Sequence, residues 1–232
     1  PIVAFGMNAA DPHHMPDQTI LQEGDCVLFD VGGVYENYCS DMTRTYFWKK
    51  EPDELQARIY NLVREANERA EEMCAPGIII SDIDKCARDI ITDAGFGPYF
   101  THRLGHFIGI EDHEYGDVSL TNQNRECPGI THSIEPGIYY PEGRIGVRIE
   151  DLVLITEDGQ VFQAEAPKGK LVNSVGAGDS MVAGFLYGYL QKNDYADAFQ
   201  YGVCTGSASA FSEELATKAE VEALLDKNKD LF

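Results

Sequence analysis

The sequence predicts an α+β protein that ends in an α-rich C-terminal segment. Strand-like runs broken by Gly and Pro turns fill residues 100–160, after two helical stretches. After Gly159 the composition changes, because small residues become frequent, and three further helical stretches follow. Blocks of strands followed by blocks of helices are typical of α+β folds. We therefore predict two parts, residues 1–159 and residues 160–232.

Periodicity predicts the individual elements of both parts. Residues 25–48 are rich in Val, Phe, Tyr and Thr around Gly and Asn turns, which indicates two neighbouring strands. Apolar residues at three- and four-residue spacing predict helices. Ser81 and Asp84 are expected to cap the second of them as a capping-box variant. The predicted helices are 51–74, 81–95, 178–192, 195–211 and 217–228.

Charge narrows the range of partners. The 232 residues carry a formal net charge of −21. Nucleic acids and anionic membranes require a basic surface, so neither is an expected partner. No apolar run approaches the roughly 20 residues of a membrane span. A solvated acidic surface accounts for most of the charge, and carboxylates that chelate cations would account for part of it.

The cysteines indicate a reducing compartment. Six cysteines are scattered without a CxxC pair. In a chain of this length they are expected to be reduced and mostly buried thiols, and the protein is predicted to be cytoplasmic.

Five ionisable residues lie inside strand-like, apolar or Gly-bounded contexts, where a charge is costly unless it is paired or metal-bound. One interpretation is a set of salt bridges to Arg44, Arg103 or Arg148, although three arginines cannot easily satisfy five such positions. The other is a metal site rich in hard oxygen ligands, which suits Mn²⁺ or Co²⁺, with Zn²⁺ or Fe²⁺ as alternatives. The five residues are Asp30, Asp41, His106, Glu135 and Glu150.

The motifs around these residues resemble the pita-bread metallopeptidase family, in its prolidase and aminopeptidase P branch. The similarity runs from FGMNAADPHH through GDCVLFDVGG, YCSDMTRTYF, FTHRLGHFIGIEDHE and SIEPGIY to GVRIEDLVLITEDG. It covers nearly all of residues 1–159. GVRIED favours the proline-peptidase branch over methionine aminopeptidases.

The resemblance implies a role for each of the five residues. Asp30 would chelate one of two divalent metal ions. Asp41 and Glu150 would bridge the pair, and His106 and Glu135 would complete the second ion. Such a pair of ions could activate water and polarise a carbonyl.

The resemblance also implies residues that act on the substrate. His13, in DPHH, would lie near the scissile bond and leaving group. His113 would contact the substrate carbonyl, and Glu135 would take the proton from the attacking water. Arg148 would support the ligands or bind the substrate carboxylate. His102 would line the pocket wall, although the interpretation of His14, His102 and His132 as ordinary surface or core imidazoles is favoured.

The implied activity is hydrolysis of Xaa-Pro bonds in proline-containing dipeptides or short peptides, and a homodimer is compatible with it. Family members have a further stretch before PIVAFG, so the pita-bread-like domain is expected to lack its N-terminal part. A non-catalytic chimeric or peptide-binding module is therefore an alternative function.

The C-terminal segment contains GAGD within VNSVGAGDSMVAGF. A Gly-flanked turn that leads into a helix suits a phosphate oxyanion, although a capped helix start would look the same. The longer string resembles ribokinase-type sugar kinases, most closely 1-phosphofructokinase. By that resemblance the amides of Gly176, Ala177 and Gly178 would form an anion hole and Asp179 would be the base. Because most of such an enzyme is absent, only a sugar-phosphate kinase remnant is predicted, and kinase activity is not expected.

Overall fold

The computed structural model describes residues 1–35, 37–156, 167–170, 172 and 177–228. The chain divides into two units, Pro1–Val161 and Phe162–Phe232, and each has its own apolar core. The boundary predicted between residues 159 and 160 stays a prediction, because residues 157–166 lie outside the described part.

A three-stranded antiparallel sheet opens the first unit, in the order β1-β2-β3. Its register pairs Asp30 with Thr43 and Gly32 with Asp41. Side chains alternate along a strand, so the Asp30 and Asp41 carboxylates are diagonal neighbours on one face. The two strands predicted within residues 25–48 are confirmed. The strands are β1 (Ile2–Phe5), β2 (Cys26–Tyr35) and β3 (Tyr38–Phe47).

Two helices pack in the core of this unit, α1 (Glu54–Met73) and α2 (Ile80–Asp93). A capping box formed by Asp53 and Gln56 begins α1. Both helices confirm the predicted ranges to within a few residues. The buried stripe of α1 has helical spacing and comprises Ile59, Val63, Ala66 and Ala70.

The cap predicted for α2 is wrong. Ile79 occupies the N-cap position and makes no side-chain cap hydrogen bond. The Asp84 carboxylate is fully buried and pairs with Arg88 one turn later, at 2.7 Å. It also accepts a hydrogen bond from the Leu104 amide at 2.9 Å. Asp84 therefore does not cap α2, because Arg88 and the Leu104 amide bind its carboxylate.

Three pairs of short antiparallel strands complete the first unit. Two single bridges, Thr43 to Glu150 and Phe107 to His132, join them to β3 and to each other. The first bridge joins the segment around Glu150 to β3, and the second joins the segment after β4 to β6. The pairs are β4 (Gly105–His106) with β5 (Asp117–Val118), β6 (Thr131–Ile134) with β9 (Asp151–Leu154), and β7 (Gly137–Tyr140) with β8 (Ile145–Arg148).

Asn67 of α1 connects the helix to β6. Its buried amide donates to the Ile134 carbonyl at 3.0 Å, one residue before Glu135. Asn67→Ala is expected to lower the free energy of unfolding by about 1–3 kcal/mol, because a buried polar contact is lost. Urea denaturation measures this change. Asn61→Ala, on the exposed side of α1, is the matched control, and equal stability of the two variants would contradict the prediction.

The second unit is helical, as predicted. α3 and α4 pack closely through glycines. A Cβ atom on Gly184 would lie 2.6 Å from the Tyr201 carbonyl, and one on Gly206 would lie 2.9 Å from the Ala177 carbonyl. The predicted helix ranges are confirmed to within two residues. The helices are α3 (Ala177–Lys192), α4 (Tyr195–Ala210) and α5 (Lys218–Lys227).

The predicted anion hole of this unit is only partly within the described residues. Ala177 and Gly178 form the first turn of α3, whereas Gly176 and the side chain of Asp179 lie outside the described part. Among the helices that the structure describes, none combines the length and the apolar character that crossing a membrane requires.

Candidate metal centre

Four of the five predicted ligands converge beside β3 of the first sheet. The Nε2 atom of His106 lies 3.7 Å from Asp41 Oδ2, 3.7 Å from Glu135 Oε1 and 3.8 Å from Glu150 Oε1. One ligand atom each from Asp41, His106 and Glu150 lies within 4.8 Å of the other two. The four side chains come from β3, β4, the end of β6 and the segment between β8 and β9.

The His106 ring is oriented for coordination through Nε2. Its Nδ1 atom lies 3.2 Å from the Phe107 carbonyl, and a carbonyl can only accept, so Nδ1 carries the proton. The lone pair of a neutral imidazole is then on Nε2, the atom that faces the carboxylates. The His113 ring packs on the His106 ring with centroids 4.1 Å apart.

Glu150 is the most deeply buried acid of the cluster, with 1% of the residue exposed. Its Oε2 atom accepts a hydrogen bond of 2.6 Å from the Thr43 hydroxyl. Its Oε1 atom is buried and has no hydrogen-bond partner among the described residues. Burial, with the charges of Glu135 and Asp41, raises the pKa of Glu150 to about 8. A buried, unpartnered carboxylate oxygen is costly, and a cation would satisfy it.

The other carboxylates have shifted acidities as well. Burial raises the pKa of Glu135 to about 6. Burial also raises the pKa of Asp30, with the Asp41 charge adding to the effect and Arg148 opposing it. Burial alone would raise the pKa of Asp41, but the hydrogen bond and charge of His106 lower it below its ordinary value. Burial alone would lower the pKa of His106, but the carboxylates of Asp41, Glu135 and Glu150 raise it above its ordinary value.

These residues fit divalent cations. Three carboxylates surround Nε2 of His106, and Arg148 connects the carboxylate of Asp30 to that of Glu135. The excess of negative charge, the unpartnered oxygen of Glu150 and the Nε2 lone pair of His106 match the oxygen-rich donor set of Mn²⁺ and related ions.

Arg148 connects the fifth predicted ligand to the cluster. Its Nη2 atom pairs with Asp30 Oδ2, and its Nε atom lies 3.9 Å from Glu135 Oε2. The guanidinium also donates to the Thr43 hydroxyl at 2.9 Å and to the Tyr139 hydroxyl at 3.0 Å. Asp30 is thus paired with an arginine through Oδ2, and its role as a metal ligand stays a prediction.

Thr43 and Tyr139 are functional candidates that the motif analysis does not single out. Thr43 connects Arg148 with Glu150 through one hydroxyl. It lies two positions after Asp41 in the same strand, so the period-two alternation of a strand could have identified it. Tyr139 has no comparable signal, because its role depends on contacts with Arg148 and His102 that only the tertiary structure creates.

The predicted substrate histidines differ in their contacts with the centre. His113 is at its rim, with 60% of the side chain exposed and its ring against His106. His13 is exposed, and its amide donates to Asp11; the described contacts do not join it to the carboxylates. His102 lies 3.0 Å from the Tyr139 hydroxyl, and burial, with the charges of Arg148 and Arg88, lowers the pKa of His102 to about 4.

Two other histidines lie outside the cluster. His132 is fully buried, with Nε2 3.0 Å from Glu126 Oε1 in an orientation that does not form a hydrogen bond. His14 lies between Asp11 and Asp17 near the surface. Both positions agree with the interpretation of these residues as ordinary core and surface imidazoles.

Comparisons with known proteins match the two parts of the chain separately. The model of metallopeptidase family M24 matches residues 1–157, and the model of pfkB family carbohydrate kinases matches residues 150–222. An uncharacterized peptidase of Staphylococcus saprophyticus is 51% identical over 158 residues, which are 68% of this chain and 45% of that protein. The chain thus spans less than half the length of the curated relatives it matches.

Solved structures agree with the family match. The prolidase from Pyrococcus furiosus is 44% identical, with a TM-score of 0.65 over 68% of this chain and 46% of that chain. The Xaa-Pro dipeptidase from Bacillus anthracis is 40% identical, with a TM-score of 0.65 over 68% of this chain and 44% of that chain. The fold of the first unit is that of the pita-bread peptidases. The chain belongs to metallopeptidase family M24.

Proposed function

We propose that the first unit carries the dinuclear metal centre of a metallopeptidase that cleaves Xaa-Pro bonds in dipeptides or short peptides. The observation that carries the proposal is the convergence of Asp41, Glu135 and Glu150 on Nε2 of His106. The names of the similar solved structures, a prolidase and an Xaa-Pro dipeptidase, support the choice of substrate.

Two divalent ions would share the five residues as ligands. Asp41 and Glu150 would contact both ions, Asp30 would hold the first, and His106 and Glu135 would hold the second. Mn²⁺ or Co²⁺ suits this oxygen-rich set, with Zn²⁺ or Fe²⁺ as alternatives. Bound ions would supply a lowered water pKa and polarisation of the scissile carbonyl.

Glu135 is the proposed general base. Burial raises the pKa of its carboxyl to about 6, which is close to the range in which a base works best near neutral pH. The Ser133 hydroxyl donates to Oε1 at 3.3 Å, and Arg148 lies 3.9 Å from Oε2. These two contacts orient the carboxylate that takes up the proton.

The exposed histidines are proposed to contact the substrate. His113, at the rim beside His106, would donate to the substrate carbonyl, and His13 would assist the leaving group. Arg148 would act by holding Asp30 and Glu135 in place. All six cysteines are free, which is compatible with the cytoplasmic location that we propose.

Hydrolysis of Ala-Pro and Ala-Ala by the Mn²⁺-loaded chain tests the proposal. We expect cleavage of Ala-Pro only, and its loss on chelation. His113→Ala is expected to reduce kcat by about 10²–10⁴-fold, the usual effect of losing a positioned proton donor. His132→Ala, a histidine outside the cluster, is the matched control for loss of an imidazole. Metal binding without any hydrolysis would instead support the alternative of a non-catalytic peptide-binding module.

The second unit supports a weaker candidate function. The pfkB match over residues 150–222 favours a sugar-phosphate kinase remnant that would use Gly176, Ala177, Gly178 and Asp179 as its anion hole. A rise in melting temperature on addition of ATP would support nucleotide binding by this unit, and no change would argue against it.

A further inference from the structure

We infer that Arg44 is a positioning residue that sets the orientation of Glu150 from outside the ligand cluster. The inference rests on the proposed metal centre, because its consequence is the placement of a proposed bridging ligand. No ligand or substrate role falls to Arg44, yet its guanidinium contacts three groups within one residue of Thr43 and Glu150.

Glu150 needs support because it lies in the short segment between β8 and β9. Its backbone is joined to the first sheet by a single bridge to Thr43, in which the Glu150 amide donates to the Thr43 carbonyl at 3.1 Å. This bridge uses the Glu150 amide, so the Glu150 carbonyl must accept a hydrogen bond from another donor.

Arg44 supplies that donor. Its Nη1 atom lies 2.6 Å from the Glu150 carbonyl and 2.9 Å from the Thr43 carbonyl. Its Nη2 atom lies 2.5 Å from Asp151 Oδ1. One guanidinium therefore connects both residues of the bridge and is itself held by an ion pair with the residue after Glu150.

Arg44 performs this role from the opposite face of the sheet. Thr43 and Arg44 are consecutive in β3, so their side chains point to opposite faces. The Thr43 hydroxyl holds Oε2 of Glu150 on the side of the carboxylates, and Arg44 holds the backbone from the other side.

The combined contacts determine where the free oxygen of Glu150 points. With the amide, the carbonyl and Oε2 all engaged, Oε1 is left unpartnered and lies 3.8 Å from Nε2 of His106. A lysine could replace the charge of Arg44 but not its planar fork, which reaches a carbonyl and a carboxylate at once. Lysine is therefore expected to replace only part of the role of Arg44.

Mn²⁺ titration of purified variants tests the inference. Arg44→Met, which keeps an apolar stem and removes every donor, is expected to weaken Mn²⁺ binding by about 10–100-fold, the usual effect of losing an outer-shell partner. Arg44→Lys and Asp151→Asn are expected to give smaller losses of affinity. Arg58→Met is the matched control, because Arg58 donates to the Ala94 carbonyl at 2.9 Å away from the centre and should not affect Mn²⁺ affinity.

Hydrogen exchange of the Glu150 amide in the metal-free chain provides a readout that does not need metal. Arg44→Met is expected to accelerate this exchange by at least about 10-fold, since the bridge loses its support, while Arg58→Met leaves it unchanged. Unchanged protection and unchanged Mn²⁺ affinity in a folded Arg44→Met variant would overturn the inference. If Arg44→Met does not fold, Arg44→Lys and Asp151→Asn are read in the same two assays.

The two readouts separate this inference from the proposed function. A parent chain that binds no Mn²⁺, but in which Arg44→Met accelerates exchange at Glu150, would refute the metal centre and keep the positioning role. If the parent chain binds Mn²⁺ and the Arg44→Met variant keeps both that affinity and the protection of the Glu150 amide, the positioning role is refuted and the metal centre is kept.

Discussion

Glu150→Gln is expected to weaken Mn²⁺ binding by at least about 100-fold and to eliminate Mn²⁺-dependent Ala-Pro hydrolysis. Loss of an outer-shell partner already reduces metal affinity by about 10–100-fold, and Glu150 is proposed as a direct ligand to both ions. Glutamine preserves the volume and the hydrogen bond from Thr43 but removes the negative charge. Calorimetric Mn²⁺ titration and proline release measure the two effects.

Glu126→Gln is the matched control for this variant. Glu126 is a buried carboxylate beside the imidazole of His132, at 3.0 Å, but it lies outside the metal cluster. Its replacement should leave Mn²⁺ affinity unchanged. Equal Mn²⁺ affinity in Glu150→Gln and Glu126→Gln would remove Glu150 from the ligand set.

The metal-free protein is expected to lose stability as pH rises from about 4.5 to about 8. Glu150 has an ordinary pKa of 4.5, and burial with the charges of Glu135 and Asp41 raises it to about 8 in the folded chain. Below pH 4.5 the carboxyl is protonated in both states and has no effect. Above pH 8 it is ionised in both states, and the folded state bears the full penalty, on the order of 5 kcal/mol.

Urea unfolding of the parent chain and Glu150→Gln in the presence of a chelator measures this penalty. Relative to the parent, the variant should gain stability between pH 4.5 and pH 8. Glu65→Gln, which changes an exposed carboxylate on α1, controls for the loss of one charge. If the free energies of unfolding of the parent and of Glu150→Gln differ by the same amount at pH 4.5 and at pH 8, the raised pKa of Glu150 is contradicted.

Local periodicity predicts much of the fold. The helices within residues 51–74, 178–192 and 195–211 follow from spacing and helix-ending residues alone. The cap of α2 could not be predicted this way, because Arg88 and the distant Leu104 amide take the Asp84 carboxylate. Local patterns predict where a helix or strand lies. They predict side-chain contacts less reliably, because a residue distant in sequence can bind the same side chain.

The candidate site also combines features that local sequence patterns predict with features that depend on long-range contacts. The two neighbouring strands that carry Asp30 and Asp41 are predicted from the sequence, and the register places both residues on one face. The approach of Glu150 and His106 to Asp41 depends on tertiary bridges such as Thr43 to Glu150, and only the family resemblance anticipates it. The contact of Arg44 with the Glu150 carbonyl spans 106 positions in sequence and has no local signal.

Metal content after Mn²⁺ loading and desalting is the most direct test of the proposed centre. Inductively coupled plasma mass spectrometry of the parent chain is expected to find close to two ions per chain, and Asp41→Ala should show a clear loss. A parent chain that retains no metal would contradict the proposal, because the carboxylates and His106 would then converge without forming a binding site.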